Sequence, residues 1–207
     1  EFFLLMAERD LEVSREQFAE VAREISLQVD RAAEIIQTLR SFGRKAELVR
    51  ERLDPNVPVR AVLGLVGRQF ELDSVRFELD LDDDLPPIMA QSNRLQQVFF
   101  NLVTNARDAM NERAAAEGPS FRKVLRLSSR LEGNRVVIEV EDNGPGIPED
   151  FREKIFEPFF TTKEAGQGMG LGLAISYGIV RDYGGDIRIQ VRPGEGTVFS
   201  VSFPARP

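Results

Sequence analysis

The period of the hydrophobic positions changes near residue 50. Before it, Ala22, Ile25, Val29, Ala32, Ile36 and Leu39 step by alternating threes and fours, a heptad seam along one face of a helix. Ser14-Arg15-Glu16-Gln17 has the S-x-x-Q form of a capping box, which starts that helix. Residues 1–8 read as the end of a preceding helix and 9–13 as the turn. The result is an antiparallel helical hairpin with a short first arm. A seam with so little core of its own predicts self-association. A helix packed on its own domain is the plainer alternative.

From Leu53-Asp54-Pro55 onward the pattern is mixed. Residues 59–70 carry a helical stripe. Val75, Phe77, Leu79 and Leu81 alternate as a strand, stopped by Pro86-Pro87. A longer helix follows over 92–116. Strands are predicted over 124–130 and 135–141, joined by Glu132-Gly133-Asn134, and a helix over 170–183. Two strands, 186–191 and 197–203, close the chain. Antiparallel pairing beside three helices defines an α+β, two-layer sandwich and argues against a doubly wound parallel sheet.

Composition narrows the chemistry. The 207 residues contain no cysteine and no histidine, which removes thiol nucleophiles, Cys or His zinc sites and histidine-dependent triads. A net charge of −7 argues against nucleic-acid binding, which calls for a basic face. The apolar opening Phe2-Phe3-Leu4-Leu5-Met6 is broken at once by Glu8, Arg9 and Asp10, too soon to span a bilayer. The expectation is a cytoplasmic piece without membrane contact, compatible with a longer, anchored parent.

Four segments carry candidate chemistry. On the helix over 92–116, Gln97, Asn101, Asn105 and Asp108 form a polar stripe beside the apolar one. Asn carbonyl oxygens suit magnesium, a hard cation, and Asn is otherwise a poor helix former. Asp142-Asn143-Gly144-Pro145-Gly146-Ile147 follows a strand. It is either a tight turn or a pocket in which Asp142 accepts a hydrogen bond from an adenine amino group. In the second case Gly144 and Gly146 allow close approach of the base. Phe156-Glu157-Pro158-Phe159-Phe160-Thr161-Thr162-Lys163 is too apolar for an ordinary solvated loop. It reads as a hinged lid, with Lys163 as a point charge for terminal phosphate oxygens, or as a loop folded permanently onto the core. Gly166-Gln167-Gly168-Met169-Gly170-Leu171-Gly172 alternates glycine just before a helix, suiting a nest of N–H groups around phosphates. It matches neither a P-loop nor a dinucleotide fingerprint. Gly194-Glu195-Gly196-Thr197 turns into the last strand and brings Thr197 toward the base.

In order, the Asn-bearing helix, Asp-x-Gly-x-Gly, Phe-x-Pro-Phe, the glycine-rich lid and the closing Gly-x-Gly-Thr resemble the ATP-binding domain of sensor histidine kinases. The resemblance spans about residues 53–204 and implies the Bergerat ATP-binding fold shared with gyrase, the heat-shock chaperone and mismatch-repair ATPases. It implies two domains, a dimerisation stem over 1–50 and an ATP-binding domain over 53–207. Asn105 would be the magnesium ligand with Asn101 alongside, and Asn105 and Lys163 the catalytic pair. Asp142 would read adenine, with Gly144, Gly146, Ile147 and Thr197 shaping its pocket. Asp108, Gly168, Met169, Gly170, Leu171 and Gly172 would complete the nucleotide site on the phosphate side. Two departures stand out. Many relatives have Thr where Met169 stands, and the phosphoacceptor histidine of the stem is missing, expected upstream of residue 1. The implied partners are ATP, magnesium, a second copy through the stem and a response-regulator receiver domain. The competing reading is a degenerate nucleotide-binding module that changes shape or dimerises without phosphotransfer.

Overall fold

A computed structural model describes residues 18, 21–22, 50–163, 169–192 and 194–206. The chain divides into two compact units, Glu1–Lys45 and Ala46–Pro207. In the first, only Phe18, Val21 and Ala22 are described, and all three are helical. The rest of the predicted hairpin and its seam lies outside the described residues, as do Gly166 and Gly168.

The second unit opens with β1 (Glu51–Leu53), α1 (Asn56–Leu72), β2 (Val75–Leu81) and β3 (Ile88–Ala90). It continues with α2 (Ser92–Glu117), β4 (Lys123–Glu132), β5 (Arg135–Asp142) and a single 3₁₀ turn, Glu149–Phe151. It ends with α3 (Gly172–Asp182), β6 (Asp186–Arg192) and β7 (Gly196–Pro204). Five strands form one sheet in the order β2-β4-β5-β7-β6. Three of its pairings are antiparallel, but β2 runs parallel to β4. That pair departs from the uniformly antiparallel expectation. The chain returns to β4 through α2, and a helical crossover permits parallel pairing. β1 and β3 pair with each other as a separate ribbon. Neither was expected, because three residues are too few to show a period.

The helices cover one face of the sheet, with α2 packed between α1 and α3. On α1, Val59, Val62, Val66 and Phe70 are buried at steps of three and four, and Phe70 stacks on Phe77 of β2 at 5.3 Å. On α2 the buried stripe is Leu95, Val98, Phe99, Leu102, Val103, Ala106 and Met110. The sheet answers with Leu125, Leu127, Val136, Ile138, Val140, Phe199, Val201 and Phe203. Burying such a side chain contributes about 1.5–3 kcal/mol, so this layer pins α2 from Leu95 to Met110.

A buried carboxylate beside an amide-lined helix

The side-chain alternation of β5 determines where its last residue points. Val136, Ile138 and Val140 face the helices, so Asp142, next in a period of two, faces them as well. In β7 the register sets Thr197 opposite Asp142, Phe199 opposite Val140 and Val201 opposite Ile138. Asp142 and Thr197 are therefore side by side on the core face, only 4% and 3% exposed. A carboxylate in a core register is costly when charged. Burial accordingly pushes the Asp142 carboxyl up to about 6, against the opposing effect of the Gly144 and Thr197 backbone N–H groups, while Glu141 raises it further. Gly144 N–H donates to Asp142 Oδ1 at 2.8 Å.

The glycines around this carboxylate are there for space. A Cβ on Gly144 would lie 2.8 Å from Asp142 Oδ1 and 2.9 Å from Ala109 Cβ on α2. Gly196 has φ +125°, and a Cβ there would fall 1.8 Å from the Asp142 carbonyl oxygen. Gly146 also has positive φ, with Val191 Cγ1 3.0 Å from its would-be Cβ. Ile147 packs partly buried against the core.

α2 runs from this pocket past the remaining polar positions. Asn101 lies eight residues before Ala109, about 12 Å along a helix axis. Its Nδ2 donates to the Gly172 carbonyl at 2.9 Å and to Ser176 Oγ at 3.2 Å, tying the first turn of α3 to α2. Asn105, one turn further on and half-buried, makes no side-chain hydrogen bond or ion pair to a described residue. Asp108 receives Lys163 Nζ at 2.5 Å and Arg107 Nη2 at 3.0 Å. Three elements thus bring Asn101, Asn105, Asp108, Lys163 and Gly172 to one border of α2, as the sequence suggested.

The lid leaves and returns at a fixed root. Phe159 N–H donates to the Gly170 carbonyl at 3.0 Å. Gly170 has φ +64°, and a Cβ on it would lie 2.3 Å from the Phe160 carbonyl oxygen. Phe160 packs on Phe151 and Phe156 on Tyr177, each at 5.5 Å. Phe160, Phe156 and Met169 rest on the core, and Leu171 is buried within it. The helix predicted from residue 170 begins at Gly172 instead, with Leu171 as its cap residue. The positive φ at Gly170 keeps the preceding turn out of it.

Sequence reasoning missed Arg113 and Asn143. Arg113 Nη1 donates to the carbonyls of Asn143 and Gly144 at 3.0 and 3.3 Å. Asn143 Nδ2 donates to the Arg122 carbonyl at 2.7 Å, and Val124 N–H donates to Asn143 Oδ1 at 2.9 Å. Arg113 lies on α2 four residues past Ala109, so helical spacing from a core-facing alanine was the available signal.

Among the described residues no three His, Cys, Asp or Glu side chains are grouped to hold a metal. A cation would rest on amide oxygens and on the phosphates that accompany it, and the unengaged Asn105 amide fits that role. No described helix is long and apolar enough to cross a membrane.

A sheet with a buried carboxylate ringed by glycines near one end of α2, an amide border and a glycine-rooted lid define a nucleotide-binding ATPase-type domain. The family model described as histidine kinase-, DNA gyrase B-, and HSP90-like ATPase matches residues 90–207, and the chain belongs to that family. Within it the chain is a histidine kinase catalytic ATP-binding domain with the Bergerat fold, as its relatives indicate. It is 40% identical over 190 residues to sensor kinase CckA of Brucella abortus (strain 2308), covering 87% of this chain and 20% of that protein. The catalytic domain of histidine kinase ThkA superposes with TM-score 0.64 at 32% identity, covering 75% of this chain and 95% of that one. ThkA in complex with response regulator protein TrrA gives 0.75 at 26% identity, with coverages of 99% and 56%. Full-length ShkA in complex with AMPPNP gives 0.74 at 26% identity, with coverages of 95% and 40%. The chain spans between 19% and 38% of the length of curated relatives it matches.

Proposed function

We propose that this domain binds Mg-ATP with its adenine on Asp142 and donates the γ-phosphoryl group to a histidine on a dimerisation stem, for onward transfer to a response-regulator aspartate. The observation that carries this reading is Asp142 itself. It is a 4% exposed carboxylate in a core register, with Gly144 and Thr197 N–H groups as its partners. Such a group is kept at a cost in stability that structure alone does not require. Asn105 and Asn101 would hold magnesium, which when bound neutralises phosphate charge. Lys163, now on Asp108, lies where it can move to a terminal phosphate oxygen.

The chain contains no histidine, so the acceptor imidazole lies outside these residues. Its nitrogen attacks the γ-phosphorus, the bond to the β–γ bridging oxygen breaks, ADP leaves with that electron pair, and the imidazole N–H proton goes to solvent. The domain contributes position and charge stabilisation. Cytoplasmic location, pairing of two copies through the stem and docking of a receiver domain belong to the same proposal. The complex of ThkA with a response regulator supports the last.

The alternative is nucleotide binding without transfer. The unengaged Asn105 and the Lys163 pair would serve Mg-ATP binding in either reading, so only transfer itself separates the two. The test is titration of this chain with ATP, with and without magnesium. It is followed by incubation with radiolabelled ATP and a separate histidine-bearing stem from a relative. Magnesium-dependent binding and acid-labile label on the stem are expected. Binding without any label on the stem leaves the module reading in its place, and absence of binding by folded protein removes both.

A further inference from the structure

We infer that Arg113 is a positioning residue for adenine recognition; this rests on the reading of Asp142 as the adenine acceptor. The argument turns on one peptide unit. The carbonyl of Asn143 and the N–H of Gly144 belong to the same planar, trans peptide, so they point in opposite directions. Arg113 Nη1 donates to that carbonyl at 3.0 Å. The N–H at the other end donates to Asp142 Oδ1 at 2.8 Å. The guanidinium and the carboxylate therefore hold the two ends of one plane. A cation on the carbonyl also polarises the peptide and makes its N–H a better donor.

Arg113 is itself held firmly. Its Nε donates to Glu117 Oε1 at 2.7 Å one turn along α2, and its Cζ lies 4.9 Å from the centre of the Phe121 ring. The same Nη1 reaches the Gly144 carbonyl at 3.3 Å, so two successive peptides are fixed from α2. On the opposite side, the Asn143 side chain stitches the loop to β4. No side chain fits at residue 144, because Asp142 Oδ1 and Ala109 Cβ occupy the space a Cβ would need. Removing the guanidinium frees this peptide to turn. Asp142 then loses one of its two backbone donors and is left with the Thr197 N–H alone, which weakens its orientation and with it its preference for an amino group on the base.

The test compares ATP with inosine triphosphate, which has a carbonyl where adenine has its amino group and is otherwise the same at the phosphates. Affinities are measured by calorimetry on the whole chain, with melting temperature recorded in parallel. The native protein is expected to prefer ATP by about tenfold or more, since a site built for an N–H rejects the analogue lacking it. Arg113→Ala should narrow that preference by about five- to tenfold, one hydrogen bond's worth. If both nucleotides weaken equally, or neither weakens, and the ratio is unchanged, the role given to Arg113 is overturned while Asp142 keeps its own. If the native protein does not discriminate, the underlying reading of Asp142 fails instead. Should Arg113→Ala not fold, Arg113→Lys keeps a charge and a stem but loses the planar fork, and the same ratio decides.

Discussion

On the proposed reading the charge on Asp142 sets function against stability, and replacing it by Asn should make the domain more stable while removing its ATP binding. Burial holds this carboxyl at about 6, against an ordinary 3.8. At about 1.36 kcal/mol per pH unit the gap corresponds to about 3 kcal/mol. The sign follows from proton counting. Between the two values the native state keeps a proton that the unfolded chain has released. The contribution of this carboxyl is thus full below about 3.8 and lost as pH rises through about 6. Asn carries no charge at any pH, so Asp142→Asn escapes that loss. Its Oδ1 can still accept the Gly144 N–H, though its amide group meets surroundings arranged for a carboxylate. A net gain of about 1–3 kcal/mol above pH 7 is expected, raising Tm by about 3–10 °C for a unit of this size. Urea melts of both proteins from pH 5 to 8 read the effect directly. More than half of the effect is already present at pH 5, so the margin of the variant should grow by about 1.3 kcal/mol between pH 5 and a plateau above pH 7. A variant less stable than the native protein at pH 7.5, or a margin that does not change with pH, refutes the reasoning.

Other expectations follow from the same geometry. Gly196→Ala places a Cβ 1.8 Å from the Asp142 carbonyl oxygen, a backbone overlap that no rotamer relieves; it should cost more than about 3 kcal/mol in a urea melt. Asn105→Ala should change stability by less than about 0.5 kcal/mol, yet abolish the magnesium dependence of ATP affinity seen by calorimetry. Asn101→Ala should weaken the magnesium dependence and also cost about 1–2 kcal/mol of stability, because its amide bonds Gly172 and Ser176. Lys163→Ala breaks a pair in which each side chain is about a third exposed, so stability should move by less than about 1 kcal/mol. ATP affinity should fall about tenfold while ADP affinity holds, as expected for one charge-assisted contact to the last phosphate.

The helices and long strands of the second unit were legible because each carries a full period of apolar positions. Val75–Leu81 appears in the structure with the predicted bounds, and Ser92–Glu117 runs one residue longer than predicted. The ribbon of Glu51–Leu53 with Ile88–Ala90 was not legible, since three residues carry no period. The parallel partner of β2 was not legible either, because alternation within a strand says nothing about the direction of its neighbour. For the site, residue types and spacing singled out Asp142, which is buried at the end of β5, and the amide stripe, of which Asn101 is tied to α3. A stronger signal went unused: Val136, Ile138, Val140 and Asp142 share one alternation, which forces the carboxylate into the core register. Arg113 offered only its helical spacing from Ala109 as a signal, and its role went unread for a different reason. Its partners are backbone carbonyls 30 and 31 residues away, and a main-chain acceptor leaves no mark on the residue types around it.

The position of Asn101 bears on why, on the proposed reading, the phosphoryl group goes to a side chain and not to water. Hydrolases of this fold resemble the chain less here, where they carry a glutamate that activates water. An amide has no usable basicity near neutral pH. In this protein the amide also has a structural task that a carboxylate would fail. Its Nδ2 donates to the Gly172 carbonyl, and a carboxylate, which only accepts when ionised, would set two acceptors against each other there. The residue that denies the site a general base is the residue that docks the first turn of α3 beneath the lid. On the proposed reading, loss of water activation and anchoring of the first turn of α3 are thus one choice of side chain, and an incoming imidazole is the nucleophile that remains.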